Sequence, residues 1–171
     1  MSIQRLFFII LLVGVFPFSS NVTARTNPAQ PAKGLYFLEN KGQISDQHGH
    51  PRSDIDFRLS RNGLSMFVGK GQIHYQWMQT LTTNSEQEVG KIKTYRMDVE
   101  LVGANREAEV VTEQMEGFYE QYYLPHTGAN GAIAYAYHKI TYKEVYPHID
   151  WVLYIKDGVV EYDFVVSREG R

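Results

Sequence analysis

The sequence predicts an all-β fold, either an antiparallel β-sandwich or a partly closed barrel built from hairpins. Short segments of alternating polar and apolar residues recur along the chain, and Asn-Gly or Asp-Gly pairs separate several of them. The chain also contains 12 Tyr and 9 Phe, and aromatic enrichment favours strands over helices. No segment after residue 24 combines a helical period with helix caps.

The strongest hairpin signal lies between Trp151 and Val166, where Asp157-Gly158 provides a two-residue turn. This turn sets the register of the two strands, and alternation then places three opposed pairs on one apolar face. The pairs are Ile155 with Val160, Leu153 with Tyr162, and Trp151 with Phe164. We expect this face to belong to the core, and the other face is mixed in character.

The preceding segments also predict strands. A short strand follows Gly34, and three strands over residues 54–59, 64–68 and 72–79 form a meander through tight turns. Residues 80–90 are polar and predict a surface loop, and residues 91–102 predict the longest strand. Residues 108–115 are compatible with a strand or a short helix, and residues 134–145 predict one or two short strands.

The first 24 residues have the three parts of a secretory signal peptide. Arg5 supplies the positive charge, an apolar run covers Leu6 to Phe18, and Val22-Thr23-Ala24 offers small residues for cleavage. The run of about 13 residues is too short to cross the roughly 30 Å core of a bilayer as an ordinary helix. We therefore expect a signal peptide over 1–24, a linker over 25–33 and one β-rich domain over 34–171. The protein would be secreted or carried on the outer cell surface, with no membrane span after cleavage.

Composition excludes several classes of function. The formal net charge is −2 and the basic residues are scattered, so we expect no nucleic-acid partner. The chain has no cysteine, which excludes thiolate catalysis, disulfides and cysteine-ligated metal. No phosphate-binding, nucleophile-elbow or zinc-protease motif is present, and we expect no cofactor.

A histidine pair is the main candidate for a metal site. His48 and His50 flank a glycine, and Asp54 or Asp56 would have to complete the ligand set. The pair lies in a loop without a third ligand at a recognisable spacing. We therefore favour a solvated polar loop and predict no metal.

Three carboxylates are candidates for catalysis. Glu161 and Asp163 share the mixed face of the hairpin, and such a pair serves glycoside hydrolysis or calcium binding in other proteins. Alternating acidic residues on an exposed sheet face also provide solubility, and Asp150 can accept backbone hydrogen bonds where its strand begins. The second interpretation is favoured, and no catalytic residue is predicted.

Clusters of tyrosine suggest a binding surface or a packed core. They occur at Phe118-Tyr119, at Tyr122-Tyr123 and over Tyr135 to Tyr142. Aromatic side chains can stack on carbohydrate or form a protein interface. Packing within the sheet explains them equally well and is the interpretation that we favour.

Four segments resemble a known family of domains. Phe37-Leu-Glu-Asn-Lys-Gly-Gln43 resembles an F-x-E-N-x-G-Q opening, and Met97 to Asn105 looks like a strand ending in F-x-G-A-N. Ile140 to Asp150 is similar to V-x-Y-x-x-V-Y-P-G-I-D, and Tyr162 to Val166 follows as in Y-D-F-x-V. The family is a domain of unknown function at the N-terminus of large exported bacterial proteins. Here His148 replaces a glycine, and Ser167 begins a departure from the Pro-Gly ending.

The resemblance implies architecture rather than activity. Family members continue into SBBP β-propeller-type repeats or immunoglobulin-like modules, and many end in a secretion-sorting domain. We therefore expect a non-enzymatic N-terminal module with a structural, adhesive or assembly role. Its partners would be other modules of the same larger protein, or a surface protein or glycan. The alternatives are a carbohydrate-binding module that uses exposed Tyr and Trp and, less favoured, a glycoside hydrolase-like enzyme.

Overall fold

The computed structural model describes residues 34–81, 91–125, 127 and 129–167. Within these ranges all regular elements are strands, and no helix suited to crossing a bilayer occurs. The expected signal peptide and linker lie outside the described residues, as does most of the expected loop at 80–90. The strands are β1 Phe37–Glu39, β2 Phe57–Arg61, β3 Leu64–Gly69, β4 Gln72–Leu81, β5 Lys91–Glu100, β6 Val110–Tyr122, β7 Ala132–Tyr146, β8 Ile149–Lys156 and β9 Val159–Val166.

The strands form a single curled antiparallel sheet that makes a half-barrel. Its order is β5-β4-β3-β2-β1-β7-β8-β9, and β6 pairs with the remaining edge of β7. Along its other edge, β7 pairs first with β1 and then with β8. The sheet therefore divides at β7 into one arm of β1 to β5 and another of β8 and β9. The predicted all-β fold is confirmed, in the form of the partly closed barrel.

The hydrophobic core lies on the concave face of this half-barrel, which we call the inner face. Both arms contribute to it, because alternate residues along each strand point to the same side. Trp151 and Leu153 of β8 are almost completely buried, as are Phe37 of β1 and Val68 of β3. Side chains from β2, β4 and β7 complete the cluster, among them Phe57, Leu59, Ile73, Ile140 and Tyr142.

The hairpin of β8 and β9 has the predicted register. Trp151 lies opposite Phe164, Leu153 opposite Tyr162, and Ile155 opposite Val160. Asp157 and Gly158 have φ of 51° and 76°, as a two-residue turn of this kind requires. The expectation that the whole apolar face belongs to the core was only half correct. Tyr162 and Phe164 are 52% and 44% exposed, because β9 is an edge strand that the opposite arm does not cover.

Two other segments decide between alternatives that the sequence left open. The ambiguous segment at 108–115 lies mostly in β6, which extends through the tyrosine cluster to Tyr122. The segment at 134–145, predicted as one or two short strands, belongs to one strand of 15 residues. An irregularity between Tyr142 and Tyr146, where Glu144 has φ of 47°, bends β7 without ending it. The meander is confirmed as β2, β3 and β4.

Gly69, at the end of β3, lies against the backbone of residues 54–56. A Cβ atom at this position would be 2.3 Å from the Asp54 carbonyl oxygen and 2.8 Å from the Asp56 amide nitrogen. We expect Gly69→Ala to lower the free energy of unfolding by about 1–3 kcal/mol, because backbone must move to admit the methyl group. Urea denaturation measures this loss.

The matched control is Gly117→Ala in β6. A Cβ atom there has nothing within 4 Å, so the same substitution should leave stability unchanged within about 0.5 kcal/mol. Equal midpoints for the two variants would contradict the close approach at Gly69.

Candidate functional site

A polar cleft lies on the convex, outer face of the sheet. Its floor consists of side chains from β3, β4 and β5 that alternate with core residues such as Ile73 and Tyr75. Its roof is the loop between β1 and β2. The cleft has a volume of about 420 Å³. The residues that matter to its chemistry are Asp46, Arg52, Phe67, His74, Gln76 and Arg96.

Asn40 fixes the loop that roofs the cleft. Its side-chain Nδ2 donates to the carbonyl oxygens of Arg52 and Ile55, both at 2.8 Å. Its Oδ1 accepts from the amide groups of Gly42 at 3.0 Å and Ile44 at 3.3 Å. One side chain therefore joins both ends of the loop. Asn40 lies within the first segment that carries the family resemblance, and its contacts give that segment a structural role.

The carboxylates that a metal site at His48 and His50 would have needed, Asp54 and Asp56, have other partners. The rings of His48 and His50 are 6.1 Å apart and exposed. Asp46 Oδ1 accepts their backbone N–H groups at 2.8 and 2.9 Å. These hydrogen bonds, with His50 first, lower the pKa of the Asp46 carboxyl group. Asp54 instead pairs with Arg52. Across the described ranges, no three His, Asp or Glu side chains converge as metal ligands would.

A histidine–aspartate–arginine group lies at the floor of the cleft. His74 is buried, and its Nδ1 lies 2.7 Å from Asp98 Oδ1. Arg96 Nε donates to the same oxygen at 2.8 Å, and its Nη2 lies 3.2 Å from His74 Nδ1. A carboxylate oxygen can only accept, so Nδ1 donates its N–H to Asp98, and in the neutral ring Nε2 is then an acceptor. The Arg96 hydrogen bond is the main reason that the pKa of Asp98 is lowered.

The second arginine of the cleft is also paired. Arg52 Nε and Nη2 donate to the two carboxylate oxygens of Asp54, both at 2.7 Å. Such a two-bond pair fixes the plane of the guanidinium group. The same contact lowers the pKa of Asp54. Each guanidinium group at the cleft is thus oriented, and its charge balanced, by a neighbouring carboxylate.

Glu161 and Asp163 lie together on the outer face of β9. The Tyr154 hydroxyl lies 3.0 Å from Glu161 Oε2 and 3.0 Å from Asp163 Oδ2. Hydrogen bonds to the two carboxylates, that to Asp163 first, raise the pKa of Tyr154 to about 12. Lys156 Nζ is 4.0 Å from Glu161. These residues form a cross-strand network on the outer face of the β8–β9 hairpin.

Asp150, the third candidate carboxylate, has two structural partners. Its Oδ1 accepts the backbone N–H of Glu144 at 2.9 Å, and its Oδ2 lies 2.7 Å from Lys143 Nζ. The Lys143 contact is the first cause of the lowered pKa of Asp150. Through these two contacts Asp150 stabilises the irregular part of β7, where Glu144 has a positive φ.

Asp56 has a raised pKa, mainly because burial disfavours its charged form; the Tyr142 hydroxyl, which donates to Oδ2 at 3.1 Å, opposes the shift. The folded state therefore binds this proton more tightly than the unfolded chain. The stability that protonated Asp56 contributes is complete below the pKa that Asp56 has in the unfolded chain. It is lost as pH rises through the pKa that Asp56 has in the folded state. We expect Asp56→Asn to raise the melting temperature relative to the wild type at pH 7, with no gain near pH 3.

The control for this prediction is Asp98→Asn, since the pKa of Asp98 is shifted in the opposite direction. Its substitution should lower the melting temperature at pH 7 and lose this effect in acid. Melting curves of both variants between about pH 3 and pH 7 test the signs. A lower melting temperature of Asp56→Asn at pH 7 would contradict the assignment.

The tyrosine clusters divide between core and surface. Tyr137 and Tyr142 are buried in the core, whereas Tyr119, Tyr123 and Tyr135 are exposed. Phe118 and Tyr122 pack over Leu38 and two alanines of β7 on the outer face.

Exposed apolar side chains also border the inner face. On β4 and β5 they lie in register with the core, and on β9 they lie opposite core residues of β8. We call this set the apolar rim. It consists of Trp77, Tyr95, Met97, Val99, Tyr162, Phe164 and Val166.

The cleft was not found by sequence analysis. His74 and Asp98 lie 24 residues apart in the chain. In the sequence, each is one of the polar residues in a segment where polar and apolar residues alternate, and nothing links the two. Asn40 was quoted within a motif, but its bonds reach 12 and 15 residues along the chain. The available signal was a histidine on the polar side of β4, in register with an aspartate of β5.

Comparison with known proteins identifies a family and nothing more specific. No curated protein and no solved structure is significantly similar to the chain. One family model, described as a domain of unknown function (DUF7948), matches residues 37–171. That range includes all nine described strands and each segment on which the resemblance was based. The chain therefore belongs to the DUF7948 family of domains of unknown function.

Proposed function

We propose that this chain is a non-enzymatic module of a secreted or cell-surface bacterial protein, with a structural, adhesive or assembly role. In this role its apolar rim packs against another β-rich module of the same protein. The observation that carries the proposal is the position of the rim. Its aromatic and aliphatic side chains border the inner face on β5 and β9, the two end strands of the eight-strand path.

The rim combines two features that favour a protein partner. Contiguous exposed apolar side chains mark interaction surfaces in soluble proteins. No described strand pairs with the outer edge of β5 or β9, so their free N–H and C=O groups can accept an added strand. A β-rich module can satisfy these backbone groups and cover the rim at the same time. This chemistry favours a folded β partner over a flexible polar one.

The family resemblance and the start of the sequence support the proposal that the protein is exported. The signal-like segment at 1–24 supports export, and related domains precede SBBP-type repeats and a secretion-sorting domain. The candidate carboxylates support a non-enzymatic role, since Asp150, Glu161 and Asp163 each have structural hydrogen-bond partners.

Photo-cross-linking in the full exported protein tests the packing of the rim. A benzophenone amino acid at position 164 should cross-link to a residue of the same polypeptide outside 34–167. The control is the same group at Ile92, which is 64% exposed on the opposite face of β5. Equal cross-linking from both positions, or cross-links from 164 only to other proteins, would refute this partner.

An assay for hydrolysis tests the absence of catalysis. The purified protein should not cleave glycans or peptides. Turnover that disappears in Glu161→Gln or Asp163→Asn would overturn the non-enzymatic assignment.

The second candidate function is carbohydrate binding by the aromatic side chains of β4 and β5. Tyr75 and Trp77 stack with ring centroids 5.9 Å apart and an interplanar angle of 22°. Tyr95 lies opposite Trp77 and extends the row. A flat aromatic surface of this kind can stack on a sugar ring. Glycan-array binding that is lost in Trp77→Ala would favour this function over module packing.

A further inference from the structure

The outer cleft contains a set of hydrogen-bonding groups that are held before any ligand arrives. Asn40 fixes its roof through four hydrogen bonds, and Asp98 and Asp54 orient the two guanidinium groups that face it. A site whose polar groups are already ordered loses little entropy when it binds. Its volume of about 420 Å³ is within the range of small-molecule sites.

The cleft presents both donors and acceptors. His74 Nδ1 donates a hydrogen bond to Asp98, so Nε2 of the neutral ring is left as an acceptor. The Gln76 side chain offers an amide oxygen and two N–H donors, and no hydrogen bond to a described residue occupies it. Guanidinium N–H groups of Arg52 and Arg96 add further donors. A ligand that satisfies this set must itself carry several groups that both donate and accept.

The arginine charges of the cleft are neutralised. Arg52 pairs with Asp54, Arg96 pairs with Asp98, and Asp46 adds one more carboxylate at the roof. No excess of positive charge remains to select a phosphate or a carboxylate ligand. The cleft therefore disfavours an anionic ligand.

The cleft also has an apolar side. Phe67 is half-buried on the floor, and Ile44 and Ile55 approach it from the roof. A sugar ring carries hydroxyl groups around its edge and C–H groups on its faces. This combination matches a cleft in which polar side chains lie beside an aromatic side chain.

We infer that the outer cleft binds a neutral saccharide, with His74 and Gln76 contacting ring hydroxyl groups. The cleft is on the face of the sheet opposite the apolar rim, since His74 and Gln76 alternate with Tyr75 and Trp77. Binding here is therefore independent of the packing proposed for the rim. It is also distinct from sugar stacking on the row of aromatic side chains.

Saturation-transfer NMR on the full protein tests this inference. The probes are neutral mono- to tetrasaccharides (hexoses, deoxyhexoses and N-acetylhexosamines), with uronic and sialic acids as the charged arm. Neutral sugars should bind, with little dependence on salt. Gln76→Leu should weaken binding at least fivefold, because an amide with no described structural bond is lost without disturbing the fold. His74→Gln should also weaken it.

The control variant is Trp77→Ala, on the neighbouring residue of the opposite face, and it should retain the wild-type affinity. Three outcomes would overturn the inference: no binding of any probe at millimolar concentration, binding of the acidic sugars only, or loss of binding in Trp77→Ala with retention in Gln76→Leu. The last outcome would assign carbohydrate binding to the aromatic row. Circular dichroism of each variant separates loss of binding from loss of fold.

Discussion

We expect Trp151→Ala to lower the free energy of unfolding by about 3–5 kcal/mol, the usual cost of removing a large aromatic side chain from a core. Trp151 is 1% exposed and belongs to the main core cluster. Its ring lies 5.3 Å from that of Tyr142 and 6.4 Å from that of Tyr162, centroid to centroid. A cavity here would separate β8 from β7 and from its hairpin partner β9. Chemical denaturation followed by circular dichroism measures the loss.

The matched variant is Trp151→Phe. The indole Nε1 is buried and has no hydrogen-bond acceptor among the described residues. Phenylalanine removes this unsatisfied donor while it keeps most of the apolar volume. The two effects offset each other, so we expect a change of about 1 kcal/mol or less. A loss as large as that of Trp151→Ala would show that Nε1 has a partner that contributes to stability.

We expect Asn40→Ala to lower the free energy of unfolding by about 2–4 kcal/mol, because it removes four part-buried hydrogen bonds. The effect should be concentrated in the loop that roofs the cleft. Hydrogen exchange of the Gly42 and Ile44 amides should accelerate more than that of the core strands. Any saccharide affinity of the cleft should fall as well.

The control is Gln47→Ala, which removes another side-chain amide from the same loop. Gln47 is exposed and makes no described hydrogen bond. Its substitution should leave stability unchanged within about 0.5 kcal/mol. If Asn40→Ala were equally harmless, Asn40 would not be the residue that holds the loop.

Elements with local signals were predicted from the sequence. The register of β8 and β9 followed from Asp157-Gly158, because a two-residue turn leaves only one pairing of the strands that flank it. The meander of β2, β3 and β4 followed from the same kind of turn chemistry, with Asn62-Gly63 in the first turn. In both cases the deciding interactions lie within a few residues of the turn.

Elements without local signals were predicted less well. The 15-residue β7 was predicted only as one or two short strands, because the irregularity near Glu144 interrupts its alternation, whereas pairing with β8 continues on either side of it. The identity of β6 as a strand likewise depends on β7, its partner. Such pairings join residues that are distant in the chain, so no single window of sequence contains them.

The sequence by itself determined the all-β class, the hairpin registers and the alternation that separates core from surface. These properties depend on turn geometry and on the two-residue period of a strand, which are local. Only the tertiary structure decided that Tyr162 and Phe164 of β9 remain exposed, since that depends on where the opposite arm ends. It also decided that His74, Asp98 and the loop held by Asn40 enclose a cleft. Closing the cleft requires three chain segments to meet, and their meeting depends on the curl of the whole sheet.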